Sequence, residues 1–108
     1  MKRPLKFRNE PTEVDGIRFA SRAEAKRWQE LKLLERAGEI HDLRRQPRYE
    51  LVVNGIRIGV YVGDFAYLDK GGDPITEDVK GVITDLFRWK AKLFRALMGR
   101  DIVLVNAR

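Results

Sequence analysis

Asp64, Asp78 and Lys80 are the residues of this chain whose types and spacing could do chemistry. In the extended segment Ile56 to Leu68, period-two alternation puts Ile56, Ile58, Val60, Val62, Ala66 and Leu68 on one face, and Asp64 falls among them. A carboxylate at an apolar position needs a reason. Beyond the turn Asp69-Lys70-Gly71-Gly72-Asp73-Pro74, a further strand is expected from Ile75 to about Ile83. Its alternation sets Thr76, Asp78, Lys80 and Val82 on one side and Ile75, Glu77 and Val79 on the other. Asp78 and Lys80 thus point the same way, whereas Glu77 is expected to be structural or solvent-facing. Two carboxylates and an amine on one face are types that can hold a hard divalent cation beside an anionic substrate. The competing readings are an early strand end that exposes Asp64, and a surface ion pair between Asp78 and Lys80 that contributes little.

These residues need elements to position them. Ser21-Arg22-Ala23-Glu24 matches a capping box with Ser21 as N-cap, and Trp28, Leu31, Leu34 and Ala37 continue an apolar helical stripe up to Gly38. Asp15-Gly16 marks a short turn or hairpin before that helix. From Ile40 the pattern is mixed, until Tyr49-Glu50-Leu51-Val52-Val53 before Asn54-Gly55 announces a hairpin whose second strand is the one carrying Asp64. Thr84-Asp85 opens a second helix with the stripe Phe87, Ala91, Phe94 and Met98, closed by Gly99. Asp101-Ile102-Val103-Leu104-Val105 is nearly all apolar and reads as a strand covered on both faces. The fold class expected is α/β, with a central four-stranded mixed sheet flanked by helices.

Composition narrows the partners. At 108 residues with 44% hydrophobic content, the chain suits one domain with one core, residues 14–108, preceded by a flexible basic arm over residues 1–13. Lys and Arg number 22 against 16 Asp and Glu, a formal charge of +6, which favours a polyanion such as nucleic acid. With no cysteine, disulfides and thiolate metal sites are excluded. No apolar segment follows the charged start, and none reaches the length of a membrane span, so a cytoplasmic location with no membrane partner is expected.

An acidic residue on one strand, a turn and Asp-Val-Lys on the next, within helix, three strands, helix, strand, resembles the PD-(D/E)XK nuclease superfamily over residues 17–105. Ser21-Arg22-Ala23-Glu24, Gly63-Asp64-Phe65 and Glu77-Asp78-Val79-Lys80-Gly81 look like a group of short phage and prophage proteins assigned to that superfamily. The nuclease subunits of some transposons share a similar layout. The resemblance implies a restriction-endonuclease-like αβββαβ core and a metal-dependent endonuclease that hydrolyses DNA phosphodiester bonds, including branched or replicating phage DNA. Its cofactor would be Mg²⁺, with Mn²⁺ as substitute. Asp64, Asp78, the Val79 carbonyl and Glu24 are implied as metal ligands, and Lys80 as the group that orients or helps deprotonate the attacking water or stabilises the pentavalent phosphorus. Glu24 also has a plain duty in the capping box. The implied partners are DNA, a second copy for paired cuts, and phage replication or recombination proteins.

Other basic residues could contact DNA phosphates. Lys90 lies inside the apolar stripe of the second helix, so it either turns toward the site or snorkels from the stripe's edge. Arg44, Arg45, Arg48, Arg88 and Lys92 could bind backbone phosphates or be solvated surface. His41, the one histidine, supports no zinc site and is expected to be structural or exposed. Trp28 and Trp89 are expected in the core or at an interface, with Trp89 off its helix's main stripe. Two non-enzymatic alternatives remain, a nucleic-acid-binding module that keeps the nuclease fold without turnover, and a basic adaptor whose carboxylates close turns.

Overall fold

The first helix starts where the chain caps itself. In the computed structural model, which describes residues 10–107, the Ser21 side chain accepts the Glu24 N–H at 3.1 Å and opens helix α1 (Arg22–Arg36). The arm's basic residues Lys2, Arg3, Lys6 and Arg8 lie outside the described residues, and Thr12 and Glu13, assigned to the arm from sequence, belong to strand β1 (Thr12–Val14). It pairs antiparallel with β2 (Ile17–Phe19) through the Asp15-Gly16 turn, whose two residues both have positive φ.

After α1 come β3 (His41–Arg45), β4 (Arg48–Val53), β5 (Ile56–Val62), β6 (Phe65–Leu68), β7 (Pro74–Lys80), helix α2 (Asp85–Met98) and β8 (Val103–Asn106). Thr84 caps α2 by accepting the Phe87 N–H, and Gly99 ends it in the left-handed conformation at φ 74°. The fold is a mixed α+β one with a four-stranded mixed sheet and two helices. The sheet order is β3-β6-β7-β8, antiparallel except for the parallel β7/β8 pair, and β4-β5 and β1-β2 are separate hairpins. Among the described residues no helix is long and apolar enough to cross a membrane.

Apolar side chains gather in two places. Phe19, Ala25, Trp28, Leu31, Ile40, Phe65 and Tyr67 pack between α1 and the sheet. Leu51, Tyr61, Phe87, Phe94 and Ile102 form a second cluster where α2 meets the β4-β5 hairpin. Phe94 is its centre, with edge-on contacts to Tyr49 and Tyr61 at centroid distances of 5.0 and 5.6 Å.

Three expectations about strands are corrected. The segment Ile56 to Leu68 is two strands in two different sheets, and Ile56, Ile58 and Val62 are 66%, 45% and 49% exposed. The hairpin turns its aromatic face inward, Tyr49 and Tyr61 with Leu51, because α2 offers Phe87 and Phe94 there. The strand Asp101 to Val105 is shifted to Val103–Asn106, and Val103 and Leu104 are exposed, since β8 is the edge of the sheet. β7 stops at Lys80, which leaves Val82 outside the strand and exposed.

Between β5 and β6 the chain passes close to β7. A Cβ on Gly63 would lie 3.1 Å from the Thr76 methyl and 3.2 Å from the Tyr61 hydroxyl, so this position suits a residue without one. The Gly63 N–H donates to Pro47 and the Asp64 N–H to Glu77, at 2.9 Å each. Asp64 therefore sits at the kink where the chain changes sheets.

Candidate active site

Three separated stretches deliver carboxylates to one place. Glu24 comes from the first turn of α1, Asp64 from the kink between β5 and β6, and Asp78 from β7. The Asp64 Oδ2 accepts the Val79 N–H at 2.6 Å, which ties the kink to β7 next to Asp78. Glu24 and Asp78 are buried, and Asp64 is half-buried.

Electrostatics follow from that crowding. Burial pushes the Asp64 carboxyl up to about 7, and the charges of Asp78 and Glu24 add to the rise, while the Val79 N–H and Lys80 oppose it. Glu24 is likewise raised, chiefly by burial, against a backbone hydrogen bond at Ala20, the charge of Arg45 and a side-chain hydrogen bond with Asp64. The Lys80 ammonium lies 3.4 Å from the Asp78 Oδ1 and 4.4 Å from the centre of the Phe87 ring. The sequence-derived triplet and Glu24 are thus neighbours, with Lys80 on the side of Asp78.

Among the described residues, no three His, Cys, Asp or Glu side chains are gathered at metal-holding distance. Two oxygens already have partners, the Asp64 Oδ2 with Val79 and the Asp78 Oδ2 with the Tyr61 hydroxyl at 2.6 Å. The donor chemistry nevertheless fits a hard divalent cation. All the donors are oxygens, and a bound cation would offset the burial and, after it, the repulsion from Asp78 and Glu24 that raise Asp64. In an extended strand the N–H and C=O of one residue point to the same edge, so the Val79 carbonyl shares the edge from which its N–H reaches Asp64.

The basic residues divide. Lys90 is half-buried and lines an open cleft together with Asp78 and Lys80. Arg45 stacks its guanidinium 5.0 Å from the Phe19 ring centre beside Glu24, and its buried Nε has no hydrogen-bond partner. Arg44, Arg48 and Arg88 are exposed and face acidic neighbours on their own elements, Asp42 at 4.0 Å, Glu50 at 3.4 Å and Asp85 at 2.9 Å. Lys92 is exposed on α2. His41 and Trp89 are exposed and Trp28 is in the core.

Tyr61 was not visible in the sequence as a site residue, and Glu77, expected to be structural or solvent-facing, is structural. Tyr61 donates to Asp78, and its hydroxyl is held well above the ordinary tyrosine range by burial first and by Asp78 second. Glu77, adjacent to the motif, is 1% exposed and takes two hydrogen bonds from Arg27, at 2.8 and 2.7 Å, and one from the Tyr67 hydroxyl. It anchors α1 on β7. A buried tyrosine opposite a carboxylate leaves no spacing signal, because the two meet through strands in different sheets.

The family model described as "Protein of unknown function (DUF1064)" matches residues 4–104, and the chain belongs to that family. No curated protein and no solved structure matches it.

Proposed function

We propose that this member of the DUF1064 family is a divalent-cation-dependent endonuclease acting on DNA. The observation that carries the reading is the meeting of Glu24, Asp64, Asp78 and Lys80 from α1, the β5–β6 kink and β7. The fold agrees with it. With the β4-β5 hairpin counted as an insertion, the elements from α1 onward run α1, β3, β6, β7, α2, β8, the αβββαβ order of a restriction-endonuclease-like core.

Glu24, Asp64, Asp78 and the Val79 carbonyl would hold Mg²⁺ or Mn²⁺. Bound there, the cation supplies an activated water and neutralises charge on the phosphate and leaving oxygen. The Val79 N–H fixes one oxygen of Asp64, and Tyr61 fixes one of Asp78, so the donors enter the reaction already oriented. Lys80 lies beside Asp78, where it can orient water or stabilise the pentavalent phosphorus.

A DNA-binding module without turnover is the second reading, and the engaged oxygens of Asp64 and Asp78 favour it. Incubation of the purified chain with supercoiled plasmid in Mg²⁺, Mn²⁺ or EDTA separates the two. Nicking in either metal, abolished by EDTA and lost in Asp64→Asn and Lys80→Ala, is the expected result. Binding of the plasmid with no nicking in either metal would overturn the enzyme reading.

A further inference from the structure

Beside the carboxylates lies an open cleft of about 280 Å³. Its lining combines polar Asp78, Lys80 and Lys90 with apolar Val60, Val62, Leu86 and Phe87. Val62 and Leu86 are 49% and 63% exposed, an arrangement that costs hydration free energy unless something apolar covers them. Phosphates are met by cations and N–H groups and need no such wall. The flat faces of a nucleobase do.

We propose that this cleft receives one unpaired nucleotide, its base against Val62 and Leu86 and its phosphate on Lys80 and Lys90. The substrate is then a strand with an unpaired nucleotide at the site, in preference to continuous duplex; this rests on reading the site as one that takes nucleic acid. At about 280 Å³ the cleft stands at the small end of ligand pockets, roughly 300 Å³ upward, a size that suits a single base. A base in duplex is paired and stacked on both faces and reaches the wall only at the cost of unstacking, whereas an unpaired base is free to enter.

Charge selects the same occupant. Helix α2 carries Arg88, Lys90, Lys92 and Arg95 against a single acidic residue, Asp85. A second copy, at +6, would be repelled from that side. Trp89, three residues beyond Leu86 and 54% exposed, extends the apolar strip past the cleft and offers a ring to the next base.

The test measures binding in EDTA, where no strand is cut. Fluorescence anisotropy of the full chain is recorded with a single strand, a blunt duplex, and a duplex carrying one unpaired 2-aminopurine. The two probes with unpaired nucleotides should bind roughly tenfold tighter than the duplex, and the 2-aminopurine emission should change on binding. In Leu86→Asn and Val62→Asn the ratio of affinities should fall toward one. Both positions are exposed, and circular dichroism verifies that each variant is folded. Equal affinity for all three probes, or a preference that survives in both folded variants, would overturn the proposal. Failure to bind any probe would sink the nucleic-acid reading together with it. Absence of nicking in Mg²⁺ with the preference intact would remove only the enzyme reading.

Discussion

The Asp64 carboxylate is hydrogen-bonded to the Val79 N–H at 2.6 Å, so the acidic residue at the β5–β6 kink is held by the backbone of the D-x-K segment on β7. Asp64→Asn preserves that contact, because the amide oxygen accepts the same N–H, but it removes the charge. Nicking should fall by at least about a hundredfold, the scale on which a lost charge-stabilising group is felt. Stability should move the other way. The wild-type carboxyl is raised to about 7 by burial and by Asp78 and Glu24, so its ionisation at pH 8 opposes folding. The metal-free variant should therefore melt several degrees above wild type at pH 8, as read by calorimetry. A variant that melts lower than wild type there would show that the charge is not strained in this place.

The same shift sets a pH dependence. Asp64 ionises at 3.8 in the unfolded chain and at about 7 in the folded one, so between these values the native state binds more protons. By linkage, its contribution to stability is present below about pH 4 and is lost as the pH rises through 7. Urea titrations in EDTA at pH 5, 6, 7 and 8 should show wild type losing stability relative to Asp64→Asn across that range. Mg²⁺ at a hundred times its Kd should add about 2.7 kcal/mol, and the gain should grow with pH because only the ionised carboxyl binds it. A Mg²⁺ gain that is flat from pH 5 to 8 would disconnect Asp64 from the metal.

Local signals in the sequence were strong where they were chemical. Ser21, Thr84, Gly99 and the Asn54-Gly55 turn act through a cap or a positive φ, and each stands where its chemistry placed it. The facing of Asp78 and Lys80 followed from alternation alone. Sheet membership was not legible. β3 has Leu43 as its single apolar residue and a register shift between His41 and Arg44, so it shows no period, yet it is the strand that joins β6 in the sheet. The aliphatic series Ile56, Ile58, Val60 and Val62 suggested a core face, but aromatic Tyr49 and Tyr61 fill more of the space under α2 and took it. Asp64 reached the site through the kink at Gly63, an event that a continuous alternation does not encode.

Tyr61 connects the second core cluster to the site. Its ring packs on Phe87 and Phe94, and its hydroxyl donates to the Asp78 Oδ2 at 2.6 Å. Tyr61→Phe keeps the ring and deletes the donor. The lost bond to a buried carboxylate should cost about 1.5–3 kcal/mol in urea unfolding. Metal affinity should weaken by about 10–100-fold, since partners that orient a ligand carboxylate act on that scale, and titration calorimetry with Mn²⁺ measures it. If Mn²⁺ binds the folded variant as it binds wild type, Tyr61 serves the core alone.

The ion pair between Arg27 and Glu77 sets the register of α1 on β7, and with it the approach of Glu24 to Asp78. Arg27 lies one turn beyond Glu24 on the same face, Glu77 precedes Asp78, and the guanidinium meets the carboxylate through two bonds of 2.8 and 2.7 Å. Tyr67 supplies a third partner, and its hydroxyl is raised above the usual range by burial and then by Glu77. Arg27→Met leaves a carboxylate that is 1% exposed with one hydroxyl for company, which should cost about 3 kcal/mol in urea unfolding. Glu77→Leu should also be destabilising, because it leaves Arg27 and Tyr67 without their acceptor. The double variant has no unpaired charge, so it should lose at least about 1 kcal/mol less than the two single losses added. Additive losses would mean that the two side chains act through separate contacts, and the pair would then have no claim to positioning the helix.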